Sequence, residues 1–200
     1  MTKSIDYYFT VASPWTYLAG PRFDGLVTRN GLAVTWKPYD IMRVFGLTGT
    51  KPVGQRAPQI QKNRLNELRR WRDFHGMELT IEPAFFPVNP TPANRVLIAA
   101  LRSGADGGAL AKAYMRAVWA EERNIADPET IAAIADENGL DGAALLAQSG
   151  DAAAEGEYER NTEDAIAADV FGSPTWIYEG ELFWGQDRLD FLTRAVGGTA

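Results

Sequence analysis

Ser13, in Ala12-Ser13-Pro14-Trp15, stands where a β-branched and aromatic run gives way to an amphipathic one. A serine there can cap the free N–H groups of a helix's first turn, and a proline at the first helical position forfeits no hydrogen bond. The same hydroxyl, close to the positive end of the helix dipole, can also donate to an anion. Capping and anion binding are both open to it and do not exclude one another. Ser173-Pro174 follows Gly172 and precedes Thr175-Trp176-Ile177-Tyr178. A Gly-Ser turn before a strand is a place for a cis X–Pro bond, with an ordinary trans turn as the plain alternative. Trp184-Gly185-Gln186-Asp187 is a strand-to-helix corner, where amides and the Asp187 carboxylate can hold an amine or a carboxylate. A simple helix cap at Asp187 accounts for that residue equally well.

Other chemistries find less support. The chain has no cysteine, so it forms no disulfide and brings no thiol of its own. With a single histidine, His75, a catalytic zinc site is not expected, and no metal is assigned. His75 precedes Gly76 at a helix end, where a cation suits the dipole. Gly49-Thr50-Lys51 fails the phosphate-loop pattern because Pro52 follows the lysine. The net charge of −6 argues against nucleic acid as a main partner. Charge is uneven, however. Lys51 to His75 holds seven Lys/Arg and two Asp/Glu, a local +5, whereas Gly104 to Val170 is −11. Charge runs are usually solvated faces, and the sharper alternative is that some of these cations receive a small anion.

The elements that must position these residues are legible from pattern. Residues 5–11 read as a buried strand, 15–28 as a helix stopped by Asn30-Gly31, and 32–36 as a second strand. Strand, helix and strand with short joins make a right-handed βαβ unit with a parallel pair. A long Gly/Pro-rich loop is expected after Lys37-Pro38, then a charged amphipathic helix over 59–75 and a proline-rich loop over 83–92. Helices are expected at 92–103, 106–122, 127–138, 141–149 and 153–169. Strands at 174–178 and 181–184, joined by Glu179-Gly180, precede a last helix from about 185–187 to Val196.

That order, β-α-β, helices, then α-β-β-α, predicts an α/β fold: a thioredoxin-like domain with an inserted all-helical domain. The expected boundaries are 1–37 and 153–200 for the thioredoxin-like domain and 38–152 for the helical insertion. At 200 residues the chain is long enough for a real core. Its longest aliphatic run, Val96 to Leu101, falls far short of the ~20 residues of a membrane span. The start, Met1-Thr2-Lys3-Ser4-Ile5-Asp6, turns polar before a signal-peptide core forms. The expectation is a soluble protein of the reducing cytoplasm, with no membrane partner.

Three ordered segments carry a family resemblance: Tyr7 to Leu18 (Tyr-Tyr-Phe-Thr-Val-Ala-Ser-Pro-Trp-Thr-Tyr-Leu), Phe171-Gly172-Ser173-Pro174-Thr175, and Phe183-Trp184-Gly185-Gln186-Asp187-Arg188-Leu189. Together with Gly49 to Pro52 and Phe86 to Asn89, this set resembles the 2-hydroxychromene-2-carboxylate isomerases and their relatives, the kappa-class glutathione transferases. The resemblance implies a DsbA-like thioredoxin fold, a homodimer, and glutathione in place of a protein thiol. It implies that Ser13 hydrogen-bonds the glutathione sulfur, that Ser173 beside Pro174 pairs with the cysteinyl backbone, and that Trp184, Gly185, Gln186 and Asp187 hold the γ-glutamyl end. Lys51, Gln55, Arg56 and Asn89 fall where the family binds its second substrate, a small aromatic carboxylate. Thr10-Val11-Ala12 departs from the acidic and aromatic residues usual ahead of the serine. The implied chemistry is interconversion of 2-hydroxychromene-2-carboxylate and trans-o-hydroxybenzylidenepyruvate through a thiolate stabilised by Ser13. The alternatives are a kappa-type glutathione transferase or peroxidase acting on another electrophile, and a redox-inert thioredoxin-like binding module.

Overall fold

The computed structural model describes residues 3–197. Strand β1 (Ser4–Phe9) is central, and the period-2 alternation of its side chains feeds two cores. Ile5, Tyr7 and Phe9 point into the main cluster with Phe23 and Trp176, while Tyr8 faces a smaller one with Tyr39, Val44, Ala165 and Val170. Helix α1 (Pro14–Asn30) starts at Ser13 with Pro14 in its first turn and stops at Gly31. Gly31 takes φ 59°, a left-handed cap conformation that glycine adopts at least cost. Strand β2 (Ala33–Pro38) then pairs parallel to β1, from Ser4 opposite Ala33 to Phe9 opposite Pro38. Strands β3 (Thr175–Tyr178) and β4 (Glu181–Trp184) add antiparallel on the other side, in the order β2-β1-β3-β4. Glu179 and Gly180 both carry positive φ in the connecting turn, the geometry of a tight hairpin.

In chain order, β2 and β3 are separated by helices that include α3 (Pro58–His75), α4 (Thr91–Arg102), α5 (Gly107–Trp119), α6 (Pro128–Glu137), α7 (Gly142–Gln148) and α8 (Ala152–Ala167). The α/β class, the parallel pair, the hairpin and the intervening helices agree with the sequence reading. Leu97, Tyr114, Trp119 and Ile131 from these helices join Phe9, Leu18 and Trp176 in one continuous buried cluster. Among the described residues no helix is long and apolar enough to cross a membrane.

Three local differences have physical causes. The stretch after Pro38 is not a plain loop, because Ile41–Thr48 forms helix α2, with the Asp40 side chain accepting from the Met42 and Arg43 amides and Gly49 ending it. A single 3-10 turn follows at Val53–Gln55. Strand β1 stops at Phe9, short of Val11, because the Thr10 and Val11 amides turn to side chains: Thr10 donates to Ser173 Oγ at 3.0 Å and Val11 to Asn94 Oδ1 at 3.4 Å. The last helix begins as a 3-10 turn at Gln186–Arg188 and becomes α9 only over Leu189–Ala195.

Candidate active site

Ser13 is nearly buried and its hydroxyl is used twice. Its oxygen accepts the Thr16 amide at 3.3 Å and its proton goes to the Ser173 carbonyl, 3.1 Å away. The cap that the sequence suggested is therefore present. Pro14 has no N–H and Thr16 is committed, while the Trp15 amide has no hydrogen-bond partner among the described residues. A free amide and a hydroxyl at a helix N-terminus are donors suited to an anion. Ser173 lies on the other side of the same contact. Its Oγ accepts from the Thr10 amide and shares a 2.8 Å hydrogen bond with Thr16 Oγ1. Its bond to Pro174 is cis. One serine side chain thus joins the end of β1, the first turn of α1 and the turn into β3.

The Trp184–Asp187 corner is contiguous with that turn. Thr175 pairs with Trp184 across the β3–β4 ladder, and the Gly185 amide donates to the Pro174 carbonyl at 2.9 Å. Gly185 has φ 99°, a backbone conformation open in practice only to glycine. The Trp184 indole is half-exposed and packs on Phe171 with ring centroids 4.7 Å apart. It lies so close to Gly172 that a Cβ there would come within 2.2 Å of its Nε1. Gln186 is buried and locked: its carbonyl accepts from Arg22 at 3.1 Å, and Oε1 lies 3.3 Å from His75 Nε2. Asp187 is exposed and accepts from the adjacent Arg188 at 2.8 Å. His75 stacks on Trp71, and burial lowers its pKa below the ordinary imidazole value, which leaves it neutral at pH 7. Its place is behind Gln186 as a support, a role that its position before Gly76 did not reveal.

The basic stretch resolves into two populations. Toward the end of α3, Arg69 is bonded to Asn66, Arg70 pairs with Glu67, and Arg72 pairs with Asp73. These are locally satisfied surface cations. Lys51 and Gln55 are exposed, and the Lys51 carbonyl accepts from Arg56 Nε at 2.8 Å. Asn89 spends its Oδ1 on the Thr91 amide, 3.1 Å away at the start of α4. Arg64, which sequence reasoning only counted among the charges, is instead buried. Its guanidinium carbon lies 5.1 Å from the centre of the Phe86 ring and 5.9 Å from that of Trp119. Trp119 in turn donates its Nε1–H to the Ala12 carbonyl at 3.3 Å, so one indole separates Arg64 from the segment carrying Ser13. A signal for Arg64 does exist in the sequence: it shares the 64/68/71/75 stripe with Leu68, Trp71 and His75.

This fold, in a chain without cysteine, defines a thioredoxin-like protein without the thiol pair. A family profile described as a DSBA-like thioredoxin domain matches residues 4–197, and the chain belongs to that family. Within it, the chain falls with the 2-hydroxychromene-2-carboxylate isomerases. It is 31% identical over 96% of its length to that isomerase of Sphingobium xenophagum, covering 97% of the relative. It is 33% identical over 96% of its length to that of Pseudomonas putida, covering 94% of the relative. A solved 2-hydroxychromene-2-carboxylate isomerase structure superposes with a TM-score of 0.83 at 29% identity, over 97% of this chain and 94% of that one.

Proposed function

We propose that this protein is a glutathione-dependent isomerase that interconverts 2-hydroxychromene-2-carboxylate and trans-o-hydroxybenzylidenepyruvate. The observation that carries the reading is Ser13 at the start of α1, one hydrogen bond from the Ser173 carbonyl, in a chain with no cysteine. The likeness to isomerases across nearly the whole chain supports the reaction class. The donor set fits a thiolate, since the Trp15 amide is free and the Ser13 proton can turn from a neutral carbonyl to a charged sulfur. Bound there, glutathione would supply a nucleophile whose addition to the conjugated carbon makes the C=C bond single, so that once the ring C–O bond has opened the chain can rotate, and whose loss restores the double bond with no net redox change.

The chain's own residues do the rest. Ser13 and the N-terminus of α1 favour the ionised form of the sulfur and so lower its pKa. Ser173 offers its carbonyl to the cysteinyl amide, and Trp184, Gly185, Gln186 and Asp187 border the γ-glutamyl end. Arg22 and His75 hold Gln186 in place from behind. Lys51, Gln55, Arg56 and Asn89 are assigned to the side where the aromatic carboxylate enters.

The test is turnover of 2-hydroxychromene-2-carboxylate by protein freed of small thiols, followed by addition of glutathione. Activity is expected only after addition, with glutathione binding visible by calorimetry. Equal rates with and without glutathione would overturn the reading.

A further inference from the structure

Buried guanidinium groups are almost always paired with an acid, because an uncompensated charge away from water costs several kcal/mol. Arg64 breaks that rule. It is 9% exposed, its Nη2 is buried without a hydrogen-bond partner, and no ion pair reaches it among the described residues. Its immediate neighbours are aromatic faces, Phe86 and Trp119, whose quadrupoles offset only part of the cost. Arg56, the other charge felt at the site, is also positive, and burial together with that charge lowers the Arg64 pKa to about 10. It therefore stays cationic at neutral pH. Two cations, half-buried Phe86 and buried Trp119 make a place that lacks one thing, an anion with an apolar body.

We propose that Arg64 binds the substrate's carboxylate, with Arg56 as the outer cation and Phe86 as the apolar wall, so that a small aromatic acid is held next to the Ala12–Ser13 segment. This rests on the reading of the site as one that takes an aromatic carboxylate, but it does not need glutathione. The Trp119–Ala12 hydrogen bond supplies the positional link between Arg64 and the segment bearing Ser13. The unpaired cation is thus a binding residue whose counter-ion arrives with the ligand.

The experiment is equilibrium dialysis without glutathione, using trans-cinnamate and its neutral isostere cinnamamide as probes. Wild type is expected to bind cinnamate about tenfold or more tighter than the amide, the ratio of a charge-assisted hydrogen bond. Arg64→Met should erase that ratio, and Arg64→Lys should keep only part of it, because a point charge replaces the planar fork. Arg64→Met should also melt at or above the wild-type temperature, since it removes an unpaired buried charge. Equal binding of the two probes to wild type, a ratio that survives in Arg64→Met, or a clear fall in its melting temperature would each overturn the proposal. If cinnamate preference depends on Arg64 while glutathione does not stimulate turnover, the proposal stands and the glutathione-dependent reading falls.

Discussion

Around Ser13, with the Trp15 amide left free, the hydroxyls of Ser13, Thr16 and Ser173 and the Thr10 and Thr16 amides are linked in one set of hydrogen bonds. On the α3 side of the same segment, Arg64 is left with no acid, and its partners are aromatic rings. The sheet side does contain unpartnered polar atoms, Thr10 Oγ1 and Trp176 Nε1, but both belong to neutral groups. A neutral orphan costs about 1–3 kcal/mol, and a buried charge costs more. The two sides therefore differ in kind. Under the proposed function, the first would take a ligand whose amide and sulfur exchange with bonds already present. The second is complete only when a negative charge is supplied.

The largest expected effect separates the two sides by kinetic signature. Ser13→Ala should lower kcat by about 100-fold, comparable to loss of one transition-state donor, with a helix-cap cost of about 1 kcal/mol. Steady-state kinetics and a melt check both parts, and turnover within twofold of wild type would reduce Ser13 to a cap. Next in size is Gly172→Ala. Its added carbon meets the Trp184 indole, and overpacking of that kind costs about 1–3 kcal/mol. A lower melting temperature and weaker glutathione binding are expected together. Unchanged glutathione affinity would detach Trp184 from the sheet-side site.

A smaller effect concerns pH. His75 titrates below the ordinary imidazole value in the folded protein because it is partly buried. The unfolded chain therefore takes up its proton first as pH falls, so stability declines from near pH 7 downward and levels off below the folded pKa. Melts of His75→Gln between pH 7.5 and pH 5 should show a shallower decline than wild type. Identical slopes would mean that burial does not hold the His75 pKa below its ordinary value. The smallest effect belongs to the surface cations. Arg69→Met, Arg70→Met and Arg72→Met should each leave KM within about twofold and stability within about 0.5 kcal/mol. A tenfold rise in KM at any of them would spread the anion site along α3 and blur the distinction between paired and unpaired cations.

What could be read in advance follows the same divide. Ser13, Ser173 and the Trp184–Asp187 corner announce themselves locally, through a cap beside a proline, a Gly-Ser-Pro turn, and a glycine at a strand end. Their meeting point also follows from topology, since parallel β1 and antiparallel β3 bring residues 13 and 173 to the same end of the sheet. Helix α2 escaped because Gly46 and the nearby prolines weigh against a helix, although Asp40 and Gly49 are sound caps at its two ends. Arg64 escaped for another reason. Counting charge along α3 treats its cations alike, while their place on the helix face decides which one is buried. Phe86 and Trp119, which enclose it, come from a proline-rich loop and a distant helix, a contact that no local pattern encodes.

Ser13 has one hydroxyl proton, and under the proposed function two acceptors would compete for it once glutathione is bound. In the protein alone the Ser173 carbonyl holds that proton. A sulfur can claim it at full strength only if another donor takes over the carbonyl, and the ligand's own amide is that donor. Thiol ionisation and amide pairing are therefore linked equilibria, each more favourable when the other is made. A small thiol with no peptide bond, such as 2-mercaptoethanol, would have to leave the carbonyl unpaired in order to be activated. On the proposed glutathione-dependent reading, discrimination between glutathione and free small thiols would reside in the ownership of a single proton, before any contact with the γ-glutamyl or glycyl ends.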